Sequence, residues 1–277
     1  MHIGIIGTGN MGTILTEALI NGKAVCEKNI SITNRTIEKA NRLKQMYPNL
    51  QIETDIEQLV EKSDLIFLCT KPLDIHPVLT KIKDRLTRDQ CLVSITSPIS
   101  VEQLETVVPC SCVRAIPSIT NRALSGVCLL TFGEKCTDVW KNVMIGLLSH
   151  IGKPVIIDQQ ITRVASDIVS CGPAFFSYLL QKFIDAAVSE TNIDKELATK
   201  LAADMFIGMG MLIEKKYYTF PELQKKVTVR GGITGEGINV LEESAMEDIF
   251  RKIFRATHNK FDREINIIKN QFEFHNV

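Results

Sequence analysis

An apolar run that leads straight into a glycine-rich turn is the feature that most constrains the fold of this chain. Gly7, Gly9 and Gly12 follow the run Ile3–Ile6 at the spacing G-x-G-x-x-G, and a helical stretch, Met11–Asn21, begins within the motif. In a strand–turn–helix unit the first glycine permits the tight turn, the second lets the backbone approach a pyrophosphate, and the third allows close packing of helix on strand. The motif therefore predicts a dinucleotide site at a helix N-terminus. Its predicted contacts are Ile6, Gly7, Thr8, Gly9, Asn10, Met11 and Gly12.

The first 160 residues alternate short apolar runs with amphipathic stretches. The runs are rich in β-branched side chains, as strands buried on both faces are. They are Ile3–Ile6, Ile30–Thr33, Leu65–Cys69, Leu92–Ile95, Cys112–Ile116, Val127–Phe132 and Val155–Ile157. The helical stretches between them include Met11–Asn21, Ile37–Gln45, Leu73–Leu86 and Asp138–His150. This alternation predicts an α/β fold with a parallel, doubly wound sheet of the Rossmann type.

After Asp158 the pattern becomes helical, and few strand-like runs remain. Apolar side chains recur at helical spacing in three stretches. They are Phe175, Leu179, Phe183 and Ala187, then Leu197, Leu201, Met205, Met209 and Leu212, then Phe250, Phe254, Phe261, Ile265 and Ile268. We expect a nucleotide-binding domain over residues 1–160 and an all-α domain over residues 161–277. The apolar stripes indicate helix core or a subunit interface more than a ligand pocket, so we expect a homodimer or a higher homo-oligomer.

Charge and composition exclude several classes of protein. The 32 Lys and Arg residues balance the 32 Asp and Glu residues, which argues against a nucleic-acid binder driven by bulk charge. Hydrophobic residues make up 45% of the chain and charged residues 23%, which argues against a disordered chain. No apolar run approaches the ~18 residues that span a bilayer. The eight cysteines form no Cys-x-x-Cys pair, and no histidine lies at zinc-site spacing from them. We therefore expect no metal site and mostly buried, reduced thiols. The glycine motif leaves no room for a signal peptide, and we expect a cytoplasmic protein.

The end of the second apolar run indicates which dinucleotide is bound. A site for NAD usually has Asp or Glu there, bonded to the ribose 2′-hydroxyl, whereas this chain has Asn34 and Arg35. A guanidinium suits a bidentate contact with a phosphate, so these residues favour NADP(H) over NAD(H). The alternative is that Arg35 is an exposed loop residue. Lys39, one turn into the next helix, either adds charge or is solvated.

Two further strand ends should face the same crevice, because ligands of such sheets sit at the carboxyl ends of the strands. The predicted cofactor contacts are Cys69, Thr70, Lys71 and Pro72 from one strand end and Ile95, Thr96 and Ser97 from the other. A surface role for Lys71 is as well supported as a cofactor role. Cys69 is interpreted as a strand residue rather than a nucleophile, since nothing near it in sequence marks a base.

Five segments, in order and at matching spacing over nearly the whole chain, carry a resemblance to one enzyme family. They are Ile6–Gly12, Leu68–Pro72, Val113–Pro117, Gly172–Phe176 and Gly231–Thr234. The chain resembles pyrroline-5-carboxylate reductase, and Ile116–Arg122 and Gly231–Gly237 are similar to a competence-operon branch of that family in spore-forming bacteria. The resemblance implies a Rossmann domain joined to a helical dimerisation domain. It also implies reduction of the ring imine of 1-pyrroline-5-carboxylate to L-proline with NAD(P)H, at a site between one nucleotide domain and the helical domains of a dimer.

The resemblance also implies the substrate site. Thr234 matches the threonine that contacts the ring nitrogen, where a hydroxyl suffices as hydrogen-bond donor. Gly231 and Gly232 would offer backbone N–H groups to the substrate carboxylate ahead of a predicted helix, Ile238–Ser244. Val229 and Arg230 stand at substrate-binding positions. The alternative for Thr234 is a plain helix N-cap.

The chain departs from the family pattern on the substrate side. Pro117–Thr120 reads Pro-Ser-Ile-Thr in place of Pro-Asn-Thr-Pro, and Val229 and Arg230 replace Ser-Pro. Glu236 adds a carboxylate beside Thr234. Two alternatives to the leading function therefore stay open: a reductase of a different imine, and a regulatory or non-catalytic protein that retains NADP as a ligand.

Overall fold

The computed structural model describes residues 1–273, and an eight-stranded sheet forms its centre. In chain order the strands are β1 (Ile3–Ile6), β2 (Ile30–Thr33), β3 (Gln51–Ile52), β4 (Leu65–Leu68), β5 (Cys91–Ser94), β6 (Ser111–Ile116), β7 (Val127–Phe132) and β8 (Lys153–Ile156). In space they run β3-β2-β1-β4-β5-β6-β7-β8, so the sheet grows outward from β1 in both directions. This is the doubly wound Rossmann arrangement that the alternating pattern predicts.

The central strands are buried over their whole length. Apolar side chains cover both faces of the sheet, which is why these strands read as continuous Ile, Val and Leu runs. β1 pairs in parallel with β2 and β4, and Ile3 lies opposite Ile30 on one side and Leu65 on the other. The loops that follow β1, β2 and β4 therefore begin at the same edge of the sheet.

The sheet departs from the predicted parallel pattern at one pair of strands. β6 and β7 are antiparallel, with Val113 opposite Phe132. The connection between them, residues 117–126, contains only a 3₁₀ turn, Ile119–Ala123. A parallel crossover needs a dozen or more residues, usually a helix, so this short connection returns the chain in the opposite direction. The second difference is β3, which is too short to give a periodic signal.

The helices of the described residues are α1 (Asn10–Asn21), α2 (Ile37–Met46), α3 (Ile56–Lys62), α4 (Pro72–Ile82), α5 (Val101–Val107), α6 (Asp138–Ser149), α7 (Thr162–Ser166), α8 (Gly172–Glu190), α9 (Lys195–Glu214), α10 (Phe220–Val227), α11 (Ile233–Glu243) and α12 (Met246–Glu273). A π-helical turn, Asp167–Cys171, lies between α7 and α8. The predicted helix Leu73–Leu86 begins one residue earlier and ends in a separate 3₁₀ turn, Lys83–Arg85.

The described chain forms two compact units. One contains residues 1–171 together with the part of α12 from Thr257 onward, and the other contains residues 172–256. The predicted domains, residues 1–160 and 161–277, stay a prediction, and residues 274–277 lie outside the described part.

Each unit has its own core. In the first, Ile268 and Phe272 from the end of α12 join the apolar cluster on one face of the sheet. In the second, helices α8 and α9 pack together around a small cluster, Ile184, Ala198 and Ala202. The second unit therefore leaves much of its apolar surface uncovered.

The cysteines, all of which lie within the described residues, are free thiols. Over residues 1–273 no helix combines the length and the hydropathy that a membrane span requires. In the same part of the chain no three His, Cys, Asp or Glu side chains gather as metal ligands would.

Candidate functional site

A cleft of about 610 Å³ opens at the carboxyl ends of β1, β2 and β4. It brings together eight of the predicted cofactor residues: Ile6, Gly7, Gly9, Asn34, Arg35, Cys69, Thr70 and Lys71. Thr8 lies beside it, because its backbone N–H donates to the Asn34 side chain at 3.0 Å. Asn10, Met11 and Gly12 form the first turn of α1, and Pro72 is the first residue of α4.

The three motif glycines are required for three different reasons. Gly7 has φ +101°, in the left-handed region that favours glycine, and its N–H donates to the Thr33 carbonyl at 2.8 Å. A Cβ at Gly12 would overlap the Gly7 carbonyl oxygen and lie 3.0 Å from Cβ of Cys69. A Cβ at Gly9 would meet no heavy atom within 4 Å, so the space beside Gly9 is open.

The donors around this open space fit an anionic ligand. Gly9 is the N-cap of α1 and provides no side-chain cap, so the first N–H groups of the helix have no partner within it. The hydroxyls of Thr8 and Thr70 are buried and have no hydrogen-bond partner among the described residues. Buried polar groups normally have partners. The residues present therefore fit a dinucleotide whose pyrophosphate lies beside Gly9.

The rim of the cleft is positively charged. Arg35, Lys39, Lys71 and Lys81 line it, and within residues 1–273 none of the four has a carboxylate at ion-pair distance. Asp55 and Asp74 also line the cleft, so cations outnumber carboxylates there by four to two. The Asp55 carboxylate caps α3 by accepting from the Glu57 N–H at 3.0 Å. Four unpaired cations around one cleft favour an anionic ligand with more than one phosphate.

Cys69 follows β4 at the cleft and has the properties of a packing residue. Burial raises the pKa of its thiol far above the ordinary value, so the thiol stays protonated at neutral pH. This argues against a nucleophile, and Cys69 lies directly after β4 rather than within the strand.

The second predicted strand end, Ile95–Ser97, does not line the cleft, and two guanidinium groups hold it. Arg114 donates from Nη1 to the Ser97 carbonyl at 3.3 Å, and Arg163 donates from Nη1 to the Ser97 hydroxyl at 3.4 Å. Burial lowers the pKa of Arg114 to about 10. Contact between Ile95, Thr96 or Ser97 and a cofactor stays a prediction.

A buried carboxylate supports the same region. Asp167 accepts from Arg163 Nη2 at 2.6 Å and from the Thr257 hydroxyl at 2.7 Å, and its side chain has no exposed surface. The Arg163 guanidinium also lies 5.4 Å from the ring centroid of Phe261. Through Arg163 this buried ion pair is connected to Ser97.

The predicted substrate residues lie in the second compact unit, and their local structure differs from the expectation. The helix begins at Ile233 rather than Ile238, so Thr234 is its second residue and not its N-cap. The N-cap is Gly232, whose N–H donates to the Val229 carbonyl at 2.9 Å and is thus not available to a carboxylate. Within the described residues the N–H groups of Ile233 and Thr234, at the start of this helix, have no hydrogen-bond partner.

The remaining residues of this loop are accessible. Val229, Arg230 and Thr234 are exposed, and Gly231 has φ +73°. The Thr234 hydroxyl makes no hydrogen bond with another residue of the described chain, which leaves it available as a donor. The substrate roles of Val229, Arg230, Gly231, Gly232 and Thr234 stay predictions.

The altered loop after β6 is internally bonded. Ser118 is buried; its hydroxyl donates to the Val169 carbonyl at 2.7 Å, and its N–H donates to the Asn121 side chain at 2.7 Å. Its neighbour Ile119 is half exposed. Where the family pattern has a polar pair, this chain therefore presents one apolar side chain.

Two helices that the sequence did not mark as part of the site, α3 and α4, also line the cleft. Ile56 of α3 and Asp74, Pro77, Val78 and Lys81 of α4 line it. No motif marks these residues. The available signal was positional: Asp74, Val78 and Lys81 recur at helical spacing directly after the predicted contact Pro72.

Two family models match the chain, one in each half. Residues 2–98 match the model described as NADP oxidoreductase coenzyme F420-dependent, and residues 159–264 match the model described as pyrroline-5-carboxylate reductase dimerisation. These models correspond to the glycine-rich cleft and to the helical half.

Relatives extend the match over the full length. ComE operon protein 4 of Bacillus subtilis (strain 168) is 53% identical over 272 residues, which cover 98% of this chain and 99% of the relative. Pyrroline-5-carboxylate reductase 3 of that strain is 28% identical over 264 residues, covering 94% and 96%. The crystal structure of Plasmodium falciparum pyrroline carboxylate reductase with NADP bound has the same fold, with a TM-score of 0.81, 21% identity and 98% coverage of both chains. On these matches, the chain belongs to the pyrroline-5-carboxylate reductase family.

Proposed function

We propose that this protein reduces the cyclic imine 1-pyrroline-5-carboxylate to L-proline, with NADPH as the reductant. The observation that carries the proposal is the cleft at the glycine-rich loop, which combines open space beside Gly9 with a rim of unpaired cations. Bound NADPH supplies a hydride to the imine carbon, and a proton on the ring nitrogen completes the reduction. The protein's own residues bind the dinucleotide and orient the substrate.

The rim supports NADPH over NADH. Arg35 is exposed at the end of β2, lines the cleft and has no carboxylate partner among the described residues, so its guanidinium is available to a 2′-phosphate. The relative from Plasmodium falciparum has NADP bound in its crystal structure. We expect Arg35→Ala to weaken NADPH binding by about tenfold or more and to leave NADH binding unchanged. Arg42→Ala, an exposed arginine of α2 outside the cleft, is the matched control.

On the substrate side we assign the ring-nitrogen contact to Thr234 and the carboxylate to the first turn of α11. The support is that the Thr234 hydroxyl is exposed and that the helix N-terminus favours an anion. NADPH oxidation with 1-pyrroline-5-carboxylate tests this assignment. Thr234→Ala should lower turnover by about two orders of magnitude. Thr199→Ala, at an exposed helical threonine of α9, should not change it.

One observation favours a second candidate, a dinucleotide-binding protein that does not reduce this imine. Ser118 is consumed by internal hydrogen bonds and Ile119 presents an apolar side chain where the family pattern is polar. Tight NADPH binding without oxidation in the presence of 1-pyrroline-5-carboxylate or other cyclic imines would select this candidate over the reductase.

We propose further that the helical unit associates with a second copy of the chain. Phe183 is 64% exposed, Ile207 61% and Phe176 52%, which is a large apolar surface for an isolated unit. The match to a dimerisation model supports a homodimer or a higher homo-oligomer. Analytical ultracentrifugation should show no monomer at micromolar concentration, and a purely monomeric species would contradict the proposal.

Two assignments from the sequence remain proposals of the same kind. Free thiols at all eight cysteines are typical of a reducing compartment, which supports a cytoplasmic location. The division into a nucleotide-binding domain, residues 1–160, and a dimerisation and substrate domain, residues 161–277, is supported by the ranges of the two family matches.

A further inference from the structure

The side-chain amide of Asn34 connects the two loops at the head of the cleft. Its Oδ1 accepts from the backbone N–H of Thr8 at 3.0 Å, and its Nδ2 donates to the carbonyl of Thr36 at 2.8 Å. One contact reaches the glycine-rich loop after β1, and the other closes the segment after β2. Both ends of the amide are therefore used within the protein.

The contact to Thr8 fixes the loop that should receive the pyrophosphate. The preceding N–H, that of Gly7, donates to the Thr33 carbonyl at 2.8 Å. Two successive N–H groups of the glycine-rich loop are thus held by two successive residues at the end of β2. Thr8 is only 3% exposed, so water does not readily replace Asn34 as its partner.

The contact to Thr36 explains why an amide stands here instead of the carboxylate of an NAD site. An aspartate would keep an oxygen for the Thr8 N–H. Its other oxygen would face the Thr36 carbonyl, 2.8 Å from where Nδ2 now lies, with no hydrogen between the two acceptors. Turning Asn34 toward a ribose hydroxyl would therefore break both of its bonds within the protein.

We propose that Asn34 is a positioning residue of the dinucleotide site, which holds the glycine-rich loop and the Arg35–Thr36 segment in one arrangement without contacting the ribose. This rests on the proposed function, since it presumes that the cleft binds NADP(H). Asn34 then acts on dinucleotides with and without a 2′-phosphate, whereas Arg35 acts only on those that carry it.

Dissociation constants of NADPH and NADH for the full-length protein, by fluorescence titration, test the proposal. Asn34→Ala should raise the dissociation constants of both dinucleotides by about tenfold, so that the ratio of the two constants stays within about threefold of the wild-type ratio. Arg35→Ala should change that ratio. Asn21→Ala, which removes the surface acceptor of the Tyr47 hydroxyl far from the cleft, should change neither constant.

Asn34→Asp separates a positioning role from a direct contact. If the side chain positions the loops, NADH binds no more tightly than to the wild type, and NADPH is weakened further by the carboxylate beside Arg35. If the side chain faces the ribose, the carboxylate gains the 2′-hydroxyl of NADH and the affinity for NADH rises, which would overturn the proposal.

Three further outcomes bear on the positioning role of Asn34. A loss confined to one dinucleotide in Asn34→Ala, or no loss, overturns the positioning role. A wild-type protein that binds neither dinucleotide refutes the proposed function and this assignment with it. Thermal unfolding midpoints establish that each variant is folded at the titration temperature, and if Asn34→Ala does not fold, Asn34→Asp decides alone.

Discussion

Substituting alanine at two glycines of the same loop, Gly9 and Gly12, separates cofactor binding from folding. A Cβ at Gly12 would overlap the Gly7 carbonyl oxygen and press on Cys69, so α1 must move away from the turn that precedes it. Overpacking of this kind costs about 1–3 kcal/mol. For a chain of this size that lowers the midpoint of thermal unfolding by about 2–12 °C.

Gly9→Ala should behave in the opposite way. Gly9 has φ −72°, which any residue adopts, and its Cβ would meet nothing within 4 Å. We expect a change in unfolding free energy within about 1 kcal/mol, because a small loss at the N-cap opposes a gain from the less flexible unfolded chain. The new methyl group would instead fill the space assigned to the pyrophosphate. NADPH binding should therefore weaken by tenfold or more, which is at least ~1.4 kcal/mol.

Differential scanning fluorimetry and NADPH titration, applied to both variants, measure the two effects separately. If Gly9→Ala binds NADPH within twofold of the wild type, the pyrophosphate does not lie beside Gly9. If Gly12→Ala has an unchanged unfolding midpoint, α1 does not depend on close packing against the turn at Gly7.

Three further predictions concern the rest of the protein. Asp167→Asn should lower the free energy of unfolding by about 3 kcal/mol, because it leaves the largely buried guanidinium of Arg163 without a charged partner. The control Asp185→Asn, at an exposed carboxylate, should lower it by well under 1 kcal/mol, and equal shifts in denaturant midpoint would contradict the prediction. In the native protein Ellman's reagent should modify the exposed Cys26 and leave Cys69 unmodified, because burial raises the pKa of the Cys69 thiol. Rapid labelling of Cys69 would contradict this prediction. Burial tends to raise the pKa of Glu102, but hydrogen bonds from neighbouring groups and a nearby guanidinium outweigh burial and hold that pKa below its ordinary value. The carboxylate therefore stabilises the fold above about pH 4.5, and this stabilisation is lost as the pH falls. The difference in unfolding midpoint between wild type and Glu102→Gln should shrink from pH 7 to pH 3, and a constant difference would contradict the prediction.

Much of the nucleotide-binding fold was predictable because its signals are local. Ile3–Ile6 and Ile30–Thr33 are strands with the predicted bounds, since a strand buried on both faces must be apolar at every position. The two-residue strand Gln51–Ile52 has no such pattern, and the antiparallel β7 looks in sequence like any other buried strand. Strand direction depends on the length and shape of the connection and not on the strand's own residues.

The candidate site was predictable in part for the same reason. The glycine-rich loop and Arg35 are marked by residue type and by their place after a strand. Asp74 and Lys81 are not marked, because they reach the cleft only when α4 packs against the face of the sheet. The start of α11 was misplaced because Gly232 caps the helix through its backbone, without the side chain that usually signals an N-cap.

The sequence by itself determined the two kinds of secondary structure, the glycine-rich turn and the presence of a cation after the second strand, since each follows from residues adjacent in the chain. The tertiary structure alone decided which cations surround one cleft, that Asn34 is bonded to Thr8, and that Ile268 and Phe272 return to the core of the first unit. Each of these features brings together residues that are distant in sequence. Their free energy comes from packing and hydrogen bonds that exist only once the strands are in register.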